Sequence, residues 1–220
     1  MLRPTLLVLA FLSVLAAPAC AGFEEGKDAY NRKDWEKTIL ELRPLAETGD
    51  DRAMMLIGNM YYYGYGVIQD YQEALSLYRR AAAEKNNPDA MLAIAAMYTS
   101  ADGVNQNLHT AAQWFLRAAQ LGDQAGAYFY ATILFRGNKS ATDDIRPDFY
   151  NAYKWFRICA KGTQYPKYRE AAEELAGAIA RKKLSAETVT KADKEAAEWK
   201  PLDAASLGPL PAEPVPMRTE

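Results

Sequence analysis

The chain repeats itself. Residues 53–83, AMMLIGNMYYYGYGVIQDYQEALSLYRRAAA, return 37 positions later as 90–120, AMLAIAAMYTSADGVNQNLHTAAQWFLRAAQ. A third version runs from Gly126 to Ala160 around a longer middle loop. A period in the thirties is the mark of a helical-repeat array. A unit of that size cannot bury its own apolar face, so neighbouring units must stack and share one core.

Each unit reads as two helices. The first carries small residues five apart, Ala53 and Gly58, Ala90 and Ala95, Gly126 and Ala131, where a helix pair can approach closely. Apolar residues fill the turns between them at helical spacing: Met54, Leu56, Ile57, Met60 and Tyr61, then Met91, Leu92, Ile94, Met97 and Tyr98. Gly64 and Gly66 end the first helix, as a glycine with positive φ does. The second helix opens at Asp70, Asn107 and Asp148, whose side chains accept from exposed first-turn N–H groups. Glu73, three after Asp70, gives a capping-box spacing. Ala74, Ala111 and Ala152 follow four residues after each cap. Leu77-Tyr78, Trp114-Phe115 and Trp155-Phe156 come next. Basic residues and alanines close the helix, and positive charge suits its negative end.

The order small residue, Tyr, Gly-x-Gly-Val, Asp-Tyr, Ala, aromatic, Ala-Ala, Gly resembles the Sel-one-like repeat, a relative of the tetratricopeptide repeat. The match rests on Gly64-Tyr65-Gly66-Val67 in the first copy and Asp102-Gly103-Val104 in the second. The third copy resembles the pattern in its helices only; its loop, Asn138 to Pro147, is four residues longer and lacks the second glycine and the valine. The resemblance spans roughly Phe23 to Gly162. It implies an all-α fold, a right-handed αα-superhelix (solenoid), and a protein-binding scaffold rather than any one activity.

A leading pair fits the same register. Asp34 caps a helix with Leu40, Leu42, Leu45 and Ala46 at its apolar positions, and the caps Asp34, Asp70, Asn107 and Asp148 are spaced 36, 37 and 41 apart. Thr38 stands in the alanine position, and Lys33 where the repeat often has glycine. Pro44 falls inside this helix and is expected to kink or shorten it. Residues 22–162 thus form about four helix pairs. Arg169–Lys183 and a helix capped by Ser185 and ending at Trp199 give a C-terminal capping helix pair over 163–200. The proline-rich stretch 201–220 is expected to be disordered.

Residues 1–21 read as a secretory signal peptide: Arg3, an apolar run from Leu6 to Ala16, then Ala17-Pro18-Ala19 and Ala19-Cys20-Ala21 as cleavage sites. The run is too short to span a bilayer, so the mature chain is expected to carry no transmembrane anchor. Losing Arg3 from 26 basic residues leaves 25 against 28 acidic ones, a mature charge of −3. That balance gives no nucleic-acid footprint. The expected place is the periplasm or the exterior. A lipoprotein anchored through Cys20 is the alternative, but the lipobox leucine is missing. Cys159 replaces Ala81 and Ala118 of the other copies and reads as a buried small residue. No disulfide framework follows from it.

Chemistry is sparse. His109 is the one histidine, in a first helical turn and without a constellation around it. Asp143-Asp144 reads as a solvated turn, Asn138-Lys139-Ser140 spells a glycosylation acceptor, and no nucleophile motif, cofactor site or metal site is read. The chain is therefore expected to be a non-enzyme. Its surface aromatics are more telling. Tyr62, Tyr63 and Tyr65 with Tyr61, and Tyr128 and Tyr130 around Phe129, cannot all face one core, because successive helical residues point about 100° apart. These tyrosines are the candidate protein-binding residues. The expected partner is another envelope protein or a peptide segment of one, in envelope signalling or assembly. The alternative is an envelope hydrolase or carbohydrate-binding protein using the same concave surface.

Overall fold

The structure, a computed structural model, describes residues 19–138 and 144–212, with side chains from Gly22 onward. Most of the leader 1–21, the Cys20 side chain, the glycosylation triplet past Asn138, Asp143 and the last eight residues lie outside the described residues. The described residues form ten helices: α1 (Ala19–Asn31), α2 (Trp35–Glu47), α3 (Asp51–Tyr63), α4 (Tyr71–Lys85), α5 (Pro88–Ser100), α6 (Leu108–Gln120), α7 (Gln124–Arg136), α8 (Phe149–Lys161), α9 (Pro166–Lys183) and α10 (Ala186–Glu198). A single bridge between Asn138 and Ile145 is the only β pairing among them. Helices pair in order, α1 with α2 through α7 with α8, and each pair stacks on the next as an αα-solenoid.

The caps set the register. Asp34, Asp70, Asn107, Asp148 and Ser185 each accept from first-turn N–H groups of the helix they precede. A second series, Asp50, Asn87 and Asp123, does the same for α3, α5 and α7. At the far ends, Gly64 closes α3 with φ 72°, and Ala101, its counterpart in the next copy, closes α5 with φ 64°. Lys33 also takes a left-handed φ of 62°, so the glycine conformation persists where the residue has changed.

Within a pair, a missing side chain marks the crossing. A Cβ on Gly58 would stand 2.6 Å from the Tyr78 ring, and one on Gly26 would stand 2.4 Å from Leu42. Leu42 and Tyr78 hold the same place in α2 and α4, so α1–α2 is built like the later pairs. Between pairs, loops land on aromatics. Gly66, at φ 69°, sits on Trp35 at the start of α2; Gly103, at φ 68°, sits on Tyr71 at the start of α4. A side chain at either glycine would collide at 2.2–2.3 Å.

Four expectations need correction. Leu40 is 71% exposed: the buried face of α2 is Thr38, Leu42 and Ala46, and Leu40 points away from it. Thr38 is buried because its hydroxyl donates to the Asp34 carbonyl at 2.7 Å. Pro44 does not shorten α2, which runs to Glu47 at thirteen residues, like α3 and α5. The carbonyl it leaves without a helical donor is that of the exposed Leu40. Helix α9 begins a turn early, with Pro166 at its first position, where a missing N–H costs nothing. Finally, 201–212 do not behave as a free tail. They run back over the array, starting with the Leu202 N–H donating to the Gln120 carbonyl at 2.7 Å.

The C-terminal helices cap the stack from α8. Both α9 and α10 pack on that helix. The seam to α10 is held by Trp155 against Trp199, by Tyr153 and Arg157 on Asp193, and by Tyr150 and Lys154 on Glu195.

Candidate protein-binding surfaces

Successive odd-numbered helices touch: α1 with α3, α5 with α7, α7 with α9. They therefore line the inner side of the array, and α2, α4, α6 and α8 form the outer side. On the inner side a groove of about 770 Å³ opens between α5 and α7, floored by Phe115 of α6. Leu92, Ala93 and Ala96 form one wall, and Tyr128, Phe129 and Ile133 form the other. Thr99, Ser100, Gln106, Thr132 and Arg136 supply a polar rim.

The groove lies here because of residue size. In the first copy the inner stripe of α3 is Leu56, Asn59, Tyr62 and Tyr63; in the second, the same positions hold Ala93, Ala96, Thr99 and Ser100. Small side chains on α5 leave the space that large ones fill on α3. The loop supplies the rest. Leu108 occupies the position that Trp35 and Tyr71 hold, on which Gly66 and Gly103 sit. The third loop lacks that glycine. Its Gly137 turns towards the Ile145 carbonyl and Pro147, and Leu108 lines the groove.

The five candidate tyrosines fall in three places. Tyr63 and Tyr65 belong to a stack at the amino-terminal end: Trp35 lies on Tyr65 at 5.0 Å between ring centres, and Tyr65 on Tyr63 at 5.1 Å. Tyr63 is 56% exposed and Tyr65 38%. Tyr62 meets Tyr63 edge-on, but its hydroxyl is already engaged, donating to Asp102 Oδ2 at 2.6 Å. Burial and that carboxylate push the Tyr62 phenol well above its ordinary value, so it stays a neutral donor that ties α3 to the next copy's loop. Tyr128 lines the groove and stacks on Tyr168 of α9 at 5.1 Å. Tyr130 is not on either surface. It packs edge-on to Trp155 between α7 and α8, and burial raises its phenol.

Other groups noted in the sequence do not converge. His109 is exposed in the first turn of α6, and Asp144 is exposed in the α7–α8 connection. Among the described residues, no three metal-ligating side chains cluster. Cys159 is buried and its thiol is pushed up to about 12 by desolvation, so it stays a neutral packing group at physiological pH. Beside it lies a residue with no repeat signature. Gln124, 4% exposed, donates to the carbonyls of Cys159, Gly162 and Tyr165 and accepts from the Tyr165 N–H at 2.8 Å. It joins α7, α8 and α9 at one point.

The groove residues could have been found by aligning the copies rather than by looking for tyrosines. Positions 92, 96 and 100 on α5 and 128, 132 and 136 on α7 are the same stripe, four residues apart, displaced from the buried stripe that the small residues mark.

No described helix is long and apolar enough to cross a membrane. The Sel1 repeat model matches residues 51–86, 88–123 and 124–162, which are α3–α4, α5–α6 and α7–α8. No curated protein matches the chain. Among solved structures, a Sel1 repeat protein from Oxalobacter formigenes is 28% identical, with a TM-score of 0.62 over 81% of this chain and 72% of that one. A protective antigen of uropathogenic Escherichia coli strains displaying an SLR fold is 20% identical, with a TM-score of 0.57. That match covers 82% of this chain and 46% of the antigen and bears on the fold alone. With three consecutive units matched and the same stacking seen between them, the chain belongs to the Sel1 repeat family.

Proposed function

We propose that this protein is an exported scaffold that holds another protein of the bacterial envelope, or an extended segment of one, in the groove between α5 and α7. Sel1 repeats generally serve as protein–protein interaction scaffolds. The observation that carries the reading is the groove itself. Its volume, about 770 Å³, suits several side chains of a bound segment. An apolar floor under a rim of hydroxyl, amide and guanidinium groups is the layout of a binding surface, apolar at the centre and polar at its edge. Export is supported by the leader pattern of residues 1–21. The exposed Tyr63–Tyr65–Trp35 stack extends the contact surface towards the amino-terminal end, where flat rigid rings give area at little entropic cost.

Ala96 lines the groove and is exposed, so a large side chain there fills the groove without entering the core. Ala96→Trp is expected to lower recovery of the partner in a pull-down from periplasmic extract at least tenfold, with the helical circular dichroism unchanged. Tyr128→Ala is expected to act in the same direction. Recovery equal to wild type with Ala96→Trp contradicts the assignment of the groove. Recovery of no partner by either chain directs the search to glycans.

A further inference from the structure

The outer face of the array carries a second site, and the chain itself shows what fits it. After α10 the backbone turns back over the even-numbered helices. Pro201 packs on Gly122, and Asp203 caps a 3₁₀ turn at Ala204–Ser206. Leu207, at φ −70° and ψ 135°, then enters the polyproline II region. The next residues are Gly208, Pro209, Leu210 and Pro211. The chain then bends at Pro209 and turns successive carbonyls towards α6. Arg117 of α6 meets two of them: its Nη1 donates to the Gly208 carbonyl at 2.6 Å and to that of Pro209 at 3.2 Å. Its Nη2 donates to Asn86 Oδ1 at 3.3 Å, at the end of α4, which holds the fork in place. Beyond this anchor, Leu210, Pro211 and Ala212 lie over a cavity of about 280 Å³ between α4 and α6, walled by Arg79, Arg80, Tyr98 and Trp114.

These features suit a short peptide with exposed carbonyls. A planar donor fork is fixed from behind, an apolar and aromatic slot lies next to it, and the segment in place, bent at Pro209, offers the fork two successive carbonyls. The occupant fills the slot loosely, since Leu210 remains 37% exposed and the cavity stays open beneath it. An intramolecular segment held so lightly owes its place to the high effective concentration that its tether gives it. A better-fitting segment from another protein can therefore displace it.

We infer that the α4–α6 outer face binds short proline-containing peptides that bend as this segment does, that Arg117 is its anchor, and that residues 207–212 are its resident internal occupant. The site is separate from the inner groove and does not depend on it.

The test uses the intact chain and a labelled synthetic peptide copying residues 203–212, read by fluorescence anisotropy. Leu210→Lys in the intact chain sets an ammonium in a slot already bordered by Arg79 and Arg80 and frees the site. The freed chain is expected to bind the unaltered peptide at least tenfold more tightly than wild type does. Adding Arg117→Lys, which keeps the charge but loses the fork, is expected to weaken that binding at least tenfold with the helical signal intact. Arg117→Ala serves as the second variant. Equal binding by wild-type and freed chains overturns the proposal. So does a freed chain that binds no peptide, or binding indifferent to Arg117→Lys.

Discussion

Ala101 shows how a repeat copy keeps a backbone conformation after losing the residue that favours it. Its position is Gly64 in the preceding copy, and both close their helices in the left-handed region. For alanine that conformation costs about 1–2 kcal/mol, and glycine gives back roughly 0.5–1 kcal/mol through its freer unfolded chain. Ala101→Gly is therefore expected to stabilise the protein by about 0.5–1 kcal/mol, read as a rise in the urea midpoint at unchanged slope. A lower midpoint would show that Ala101 makes a contact that outweighs its strain. The two glycines on Trp35 and Tyr71 are the opposite case. They are needed twice over, for φ and for the 2.2–2.3 Å approach, and no other residue fits. Their spacing made the first two loops readable from sequence; the third, without that glycine, was not.

At the scale of elements, the helix order, the second-helix caps and the buried alanines were all legible, because each is a local rule repeated at a fixed period. The rest depended on what each element packs against. Leu40 looked like core until the face of α2 was set by Leu42 meeting Gly26. Tyr130 looked like surface until Trp155 covered it. The tyrosine runs drew attention to the first copy, whereas the groove opens where the second copy has small residues. Gln124 carried no signal at all, since its partners are carbonyls that any sequence would supply. Its role is specific to the junction it holds. Losing its amide would take the partner from the Gly162 carbonyl and the Tyr165 N–H, while the Cys159 and Tyr165 carbonyls keep backbone donors. Gln124→Ala is expected to destabilise the fold by about 2–3 kcal/mol, the scale for stranded buried polar groups. Denaturant titration checks this, and a loss under about 1 kcal/mol would mean that water or a neighbour replaces the amide.

For the whole molecule, stacking turns small differences between copies into a division of labour. Units with large inner side chains close the array; the junction of the second and third copies opens it. The outer helices carry the returning C-terminal segment, so the two faces offer different chemistry: an apolar groove with a polar rim inside, an arginine fork beside an aromatic slot outside. The inner groove is the basis of the functional reading, and it is tested most directly by asking what touches it in the cell. A photo-crosslinking residue placed at Ser100 or Arg136 stands at the groove's rim; the same residue at Arg43 or Glu47 stands exposed on α2, on the outer side and away from Trp35. The account predicts one discrete crosslinked species from both rim positions and none from the two on α2. The same pattern from all four positions, or no crosslink from the rim, would contradict it.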